Sequence, residues 1–333
     1  MASVDRPSVV DAVVIGRNEG GRLVACLTSM AGAARRIIYV DSGSTDGSPE
    51  AARAAGAEVV MLDLAQPFTA ARARNAGLAA LAEGAPEEGE AYVQFVDGDC
   101  ALREGWLEAA RGFLDANPAV AFVCGRRRER HPEASIYNHL CDLEWDTPVG
   151  EALACGGDAL MRRNALLEVG GYRDGLIAGE EPELCLRLRA RGWKIWRIGQ
   201  EMTWHDAAIT RFGQWWRRTR RAGHAFAEGA ALHGGGPQRH WVAETRRALV
   251  WGLGVPVAAL LAMVLVGPWG ALVLLAWPAQ AVRLAWRNRA LGVRMALVVG
   301  VFSTLGKIPE MLGVLEYHLK RQFGRASRII EYK

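Results

Sequence analysis

The chain has 333 residues, 50% of them hydrophobic and 23% charged, which excludes a disordered or collagen-like polymer and leaves room for one large domain or two modest ones. Its formal charge of +4 conceals a division: residues 1–240 hold 28 Lys and Arg against 32 Asp and Glu, net −4, whereas residues 241–333 hold 12 against 4, net +8. A near-neutral body with a basic, apolar tail points to a phospholipid membrane as partner and away from nucleic acid.

Through residue 130 the chain switches repeatedly between short branched apolar runs and longer helical patterns. Residues 9–15 predict a strand, followed by the polar turn Arg17, Asn18, Glu19 and a helix through Leu27. Residues 37–40 predict a second strand, which ends at the DSGSTDGS loop of 41–48 and leads to a helix near 49–55. Strand 58–62, helix 71–81 and strand 92–96 follow, the last ending at Asp97-Gly98-Asp99. A helix over 104–116, a strand over 119–124 and a later strand over 194–198 complete the body. Strands separated by helices of this length argue an α/β fold, a mostly parallel sheet flanked by helices, with ligands bound beyond the carboxyl ends of the strands. The loops at 17–19, 41–46 and 97–99 all occupy such ends, so Asn18 and Glu19 become ligand-binding candidates with Asp41 and Asp97.

Residues 1–240 read as the soluble domain and 241–333 as a membrane-associated helical region. Ala248 to Val282 is a run of 35 residues without a formal charge, about 52 Å as one helix against a hydrocarbon core of about 30 Å. Gly267-Pro268 offers a break at its midpoint, predicting a transmembrane hairpin over 248–286. Arg246 and Arg247 before it, and Arg283, Arg287, Arg289 and Arg294 after it, place both ends on the cytoplasmic side. A third apolar segment, 292–315, either spans or lies in the interface. The final stretch, with Lys320, Arg321, Arg325, Arg328 and Lys333, reads as a basic helix beside anionic lipid. The first 25 residues carry Asp5, Asp11 and Glu19 and no long apolar run, so no cleavable signal peptide is expected. Six widely spaced Cys without a CxxC pair read as buried small residues in a reducing compartment. The expected location is the cell inner membrane or plasma membrane, multi-pass, with the large domain cytoplasmic.

The turn GRNEGG after the first strand lacks GxGxxG spacing, and no GxxxxGK[ST] occurs, so a phosphate-bearing ligand needs another device. Asp97 and Asp99 supply one: two carboxylates around a glycine at a strand end can face a hard cation, Mg²⁺ or Mn²⁺, that bridges diphosphate oxygens. Glu180 and Glu181 begin a helix with Pro182 in its first turn, where the helix dipole favours an ionised carboxylate, as a general base requires. Trp215, Trp216, Arg217, Arg218, Arg220 and Arg221 form an aromatic and basic cluster that reads either as an interfacial helix or as a binding surface. Arg126 to Arg128 reads as a solvated charge run in preference to one that faces the same polar rim.

Taken together, VVIGRNE (13–19), YVDSGSTDGS (39–48), ARARNAGL (71–78), FVDGDC (95–100), GGDALMRRNALLEVGGY (156–172) and GEEPELCLRLRARGW (179–193) resemble the successive motifs of family 2 glycosyltransferases with the GT-A fold. The resemblance spans about residues 8–205. It implies metal-dependent glycosyl transfer with inversion from a nucleoside diphosphate sugar. Carried over by position, Asp41 contacts the nucleotide base, Asp99 is the principal metal and diphosphate residue, Asp97 its partner and Arg74 a basic residue facing it. Glu181 matches the catalytic base, although the family motif usually has Glu-Asp where this chain has Glu180-Glu181. His205 either completes the metal site, as the resemblance allows, or is structural. Gly156, Gly157, Asp158, Glu180, Trp216, Arg217 and Arg218 are the acceptor-side candidates. The QxxRW arrangement of processive synthases is absent, the chain reading GQWWRRTRR.

The expected activity is therefore an inverting, metal-dependent glycosyltransferase acting on a hydroxyl of a lipid-linked glycan or glycolipid. A polyprenyl-phosphate glycosyltransferase, in which phosphate attacks, is the second enzymatic reading. A membrane-associated nucleotide-sugar-binding or assembly protein without turnover is the reading from another class.

Overall fold

The computed structural model describes residues 8–83 and 91–324, and the chain divides into two compact units, Met1–Thr210 and Arg211–Lys333. The Trp- and Arg-rich helix expected within the 1–240 domain thus belongs to the second unit. Arg325, Arg328 and Lys333 of the basic tail lie outside the described residues.

The first unit is built on nine strands: β1 (Val9–Gly16), β2 (Ile37–Asp41), β3 (Glu58–Met61), β4 (Ala91–Asp97), β5 (Cys100–Leu102), β6 (Val120–Glu129), β7 (Gly150–Ala152), β8 (Ala159–Arg162) and β9 (Lys194–His205). They form one sheet in the order β3-β2-β1-β4-β8-β6-β9-β5, with β7 also on β9. Pairs β1–β2, β2–β3, β1–β4 and β6–β9 are parallel, whereas β4–β8, β6–β8, β5–β9 and β7–β9 are antiparallel. The mostly parallel sheet read from the sequence is therefore a mixed one. The reason is length: β5, β7 and β8 have three or four residues, too few to show a period of two.

Helices α1 (Gly21–Thr28), α2 (Ser48–Ala54), α3 (Ala70–Ala82), α4 (Trp106–Ala116), α5 (Ile136–Glu144), α6 (Arg163–Glu168) and α7 (Glu180–Ala190) flank this sheet. Val13, Val14, Ile38, Val40, Val93 and Phe95 are fully buried, as strands covered on both faces require. Gly77 lets α3 lie directly on β1, since a Cβ there would come within 2.3 Å of Val13 Cγ1. That close approach sets the depth of Arg74, one turn earlier.

Two strands run further than their apolar signal. The one expected over 119–124 continues to Glu129 and the one over 194–198 to His205. Their polar ends break the apolar run yet stay in the sheet, because β6 and β9 pair through several register shifts.

In the second unit, α8 (Phe212–His233) and α9 (Val242–Leu249) precede α10 (Val255–Val266), a 3-10 segment (Gly267–Leu275), α11 (Ala276–Arg287), α12 (Val293–Leu305) and α13 (Lys307–Gln322). The chain doubles back at Gly267, whose φ is 70°, a left-handed conformation that glycine adopts without strain. Gly270 then packs on the preceding arm, where a Cβ would meet Met263 N at 2.1 Å, and Trp277 Nε1 donates to Trp251 O at 3.0 Å. Two stretches, Val242–Arg287 and Val293–Gln322, are long and apolar enough to cross a membrane, with mean hydropathy 2.4 and 1.4.

Candidate active site

The rim formed by the ends of β1, β2 and β4 is stitched by short polar contacts. Asn18, at φ 56°, donates its N–H to Ser44 Oγ at 2.9 Å and accepts from the Thr45 N–H at 2.7 Å. Asp41 is fully buried. Its Oδ1 accepts from the Tyr39 hydroxyl at 2.9 Å, and its Oδ2 accepts from the N–H groups of Gly43 and Ser44 at 2.9 and 2.8 Å. Asp41 thus holds the shape of the loop that follows β2. Glu19 pairs with Arg22 at 2.7 Å and lies over Gly16 and Gly98, whose missing side chains leave it room.

Arg74 on α3 is the centre of the site. It is 2% exposed, donates from Nη1 to Glu180 Oε1 at 2.9 Å and from Nη2 to Asp97 Oδ1 at 2.8 Å, and lies 3.0 Å from Glu181 Oε1. Its guanidinium also lies over the Tyr172 ring at 5.5 Å. Burial alone would pull its pKa down, but Glu181, Asp97 and Glu180 more than reverse this and hold it well above the usual value. The loop before α7 is tied to α3 by Asn75, which donates to Tyr172 O at 2.7 Å and accepts from the Tyr172 N–H at 2.9 Å. Gly179, at φ 80°, then starts α7 with Glu180 and Glu181 in its first turn.

The two glutamates differ in access, Glu180 being 5% and Glu181 13% exposed at the side chain. Burial, and next the Glu180 carboxylate, push the Glu181 pKa up to about 7. The expectation that the helix dipole keeps this residue ionised is thereby corrected, because burial beside a like charge outweighs a dipole term of about 1 kcal/mol. Gly157 faces the pair: a Cβ there would come within 2.3 Å of Arg74 Nη2 and 2.8 Å of Glu181 Oε1. Gly156 has open space around its would-be Cβ.

Asp99 and His205 meet because β5 runs antiparallel on β9 with Cys100 opposite His205. His205 is the last residue of β9 rather than a residue beyond it. Its Nε2 lies 3.4 Å from Asp99 Oδ2, and donor atoms of Asp99, Cys100 and His205 all fall within 4.8 Å of one another. Burial, then the Arg127 guanidinium, pull the His205 pKa down to about 4, so the imidazole is neutral and keeps a lone pair. A carboxylate beside a neutral imidazole fits a divalent cation such as Mn²⁺ or Mg²⁺. Asp97 Oδ1 is taken by Arg74 and its Oδ2 lies 3.8 Å from Arg127, which orients Asp97 toward the arginines.

Asp158, expected on the acceptor side, is fully buried beneath the rim. Its Oδ1 accepts from the Asp97 N–H at 3.1 Å, while its Oδ2 accepts from Thr203 Oγ1 at 3.0 Å and lies 2.8 Å from Arg127 Nη2. The run Arg126 to Arg128 is likewise not a solvated patch: Arg126 is 6% exposed and pairs with Asp142 at 3.1 Å, and Arg127 enters the site. Sequence reasoning ranked the rim-facing reading of Arg127 below the solvated one and passed over Thr203. The signal for Arg127 was strand alternation, since Arg126 and Arg128 both reach Asp142 while Arg127 turns to Asp158. Trp216, Arg217 and Arg218 lie on α8 in the second unit, Trp216 against Phe212 with ring centroids 5.6 Å apart.

Residues 11–170 match the sequence model of glycosyl transferase family 2. The match lies wholly within the first unit. Over 205 residues the chain is 30% identical to pre-mycofactocin glycosyltransferase of Mycobacterium tuberculosis, covering 56% of this chain and 40% of that protein. The chain thus spans well under half of that relative's length. It is 26% identical over 246 residues to succinoglycan biosynthesis protein ExoA of Rhizobium meliloti, covering 71% of this chain and 73% of the relative. Among solved structures, a mannosyltransferase from Pyrobaculum calidifontis in complex with GDP-Man and Mn²⁺ superposes with a TM-score of 0.59 at 22% identity, over 89% of this chain and 86% of that one. That likeness establishes the GT-A fold.

Proposed function

We propose that the protein is an inverting glycosyltransferase that moves a sugar from a nucleoside diphosphate sugar to a hydroxyl of a lipid-linked glycan or glycolipid. The observation that carries this reading is Arg74, which gathers Asp97, Glu180 and Glu181 within 3.0 Å on the rim that also holds Asp99 and His205. Asp99 and His205 would hold Mg²⁺ or Mn²⁺, which when bound supplies Lewis-acid neutralisation of the diphosphate. The loop shaped by Asn18, Glu19 and Asp41 receives the nucleotide. Arg74 and Arg127 orient Asp97 toward the donor. Glu181 Oε accepts the proton of the acceptor hydroxyl as that oxygen attacks the anomeric carbon opposite the leaving nucleotide. Gly157, by lacking a Cβ, lets Arg74 and Glu181 pack directly against its backbone.

The acceptor class rests on the apolar stretches of the second unit, read as a multi-pass anchor in the cell inner membrane or plasma membrane with the transferase on the cytoplasmic side. A tether on the same chain raises the effective concentration of a membrane acceptor without a tight acceptor site. The succinoglycan biosynthesis relative is consistent with glycan assembly. The test is incubation of full-length protein in native membranes with a panel of radiolabelled nucleotide sugars and Mn²⁺ or Mg²⁺, with the lipid products identified by mass. One donor should give a chelator-sensitive lipid product. Asp99→Asn should lower turnover by about 100-fold or more with the domain still folded; normal turnover of this variant at limiting cation would refute the assignment.

A further inference from the structure

Glu129 ends β6 directly opposite His205 in the β6–β9 register and is 1% exposed. Its Oε1 accepts from the His131 N–H at 3.1 Å and Asn138 Nδ2 at 3.2 Å, and its Oε2 accepts from the Ala207 N–H at 3.0 Å. Asn138 is fixed in turn, accepting from the Ile209 N–H at 3.0 Å. This carboxylate is therefore anchored from three sides. His205 Nδ1 is buried without a hydrogen-bond partner, 3.9 Å from Glu129 Oε2, and Trp145 packs against the ring edge-on at 4.7 Å.

The imidazole thus lies between two carboxylates, Glu129 on the Nδ1 side and Asp99 on the Nε2 side, with one ring proton to share when neutral. One nitrogen must then present a lone pair to a carboxylate, and a cation between Asp99 and that nitrogen removes the conflict. We propose that Glu129 is a positioning residue for the cation: it accepts a hydrogen bond from His205 Nδ1–H and so selects the tautomer whose Nε2 lone pair faces the cation. A ring shift of roughly 1 Å brings Nδ1 to hydrogen-bonding distance, and such outer carboxylates commonly fix the ring of a ligating histidine. The inference rests on the reading of Asp99 and His205 as the metal pair.

The experiment measures Mn²⁺ affinity of full-length protein by electron paramagnetic resonance without nucleotide, and the His205 tautomer by ¹⁵N resonance with Mg²⁺ bound. Glu129→Gln should weaken Mn²⁺ binding by about 10- to 100-fold while the unfolding temperature and the metal-free nucleotide affinity hold. Wild-type His205 should carry its proton on Nδ1. Mn²⁺ binding by Glu129→Gln equal to wild type, or a proton on Nε2 in the Mg²⁺-loaded wild type, overturns the proposal, and the wild-type spectrum decides alone if the variant does not fold. His205→Ala separates the two readings: undiminished Mn²⁺ binding there refutes the metal pair itself.

Discussion

Glu181 carries the proton balance of the proposed reaction. With its pKa pushed up to about 7, it is a base only above that pH, so kcat/KM should rise through pH 7 and level off. His205, at about 4, stays neutral across this range and adds no second limb. Glu181→Gln should lower single-turnover transfer by roughly 100- to 10,000-fold, the usual share of general-base catalysis, change donor affinity little and abolish the limb near pH 7. Glu180→Gln should be milder. Transfer at nearly the wild-type rate in both variants would instead favour phosphate as the attacking group. The same shift has a stability consequence. A carboxyl whose folded pKa lies above its unfolded value stabilises fully below about 4.5 and loses that contribution as pH rises through about 7. Glu181→Gln should therefore unfold at a higher temperature than wild type at pH 8.5 and at nearly the same temperature at pH 4.5; an equal difference at both pH values would contradict the raised pKa.

At the scale of elements, glycines decide how closely backbones approach. The α8–α13 contact within the second unit is the clearest case. A Cβ on Gly223 would lie 2.0 Å from Glu310 O, and one on Gly313 would lie 2.0 Å from Arg220 O. Small residues at such crossings let helices associate through backbone contact. Gly223→Leu should force the helices apart and cost at least about 2 kcal/mol, read as a lower unfolding temperature in detergent; unchanged melting would show that the contact is dispensable. In the first unit, Gly157→Ala would press on an arginine already pinned by three carboxylates. It should lower kcat by about 10- to 100-fold through misplacement of Glu181, measured beside an unchanged melting temperature.

For the whole molecule, the proposed function takes the second unit as an anchor. Only 11% of the apolar window in Val242–Arg287 is buried within the protein, and Leu260, Leu261, Val264 and Leu265 are 60% or more exposed. Water would penalise such a surface at about 25 cal/mol per Å², whereas lipid covers it. Full-length protein should stay with membranes through high-salt and alkaline washes, and reporters placed after residues 247 and 294 should both be cytoplasmic. Release as a stable soluble monomer would contradict the anchor.

Much of this architecture is visible along the chain itself. Apolar periodicity marks β1, β2, β4 and the helices between them, because a strand or helix repeats its pattern over neighbouring residues. The break at Gly267-Pro268 shows in the same way, since it rests on local backbone chemistry. Asp97 and Asp99 stand out because a glycine between two acids after an apolar strand is itself a local pattern. The antiparallel pairing of β5 on β9 is different in kind. It joins Cys100 to His205 through hydrogen bonds between segments far apart in the chain, and three residues carry no periodicity from which to read it. The roles of Arg127 and Glu129 follow from the β6–β9 pairing, which sets them opposite Thr203 and His205, and no local pattern in or beside the arginine run reveals it. The raised pKa of Glu181 was hidden as well, because the burial that chiefly causes it, against the lowering by Arg74, is a tertiary property that helix position does not show.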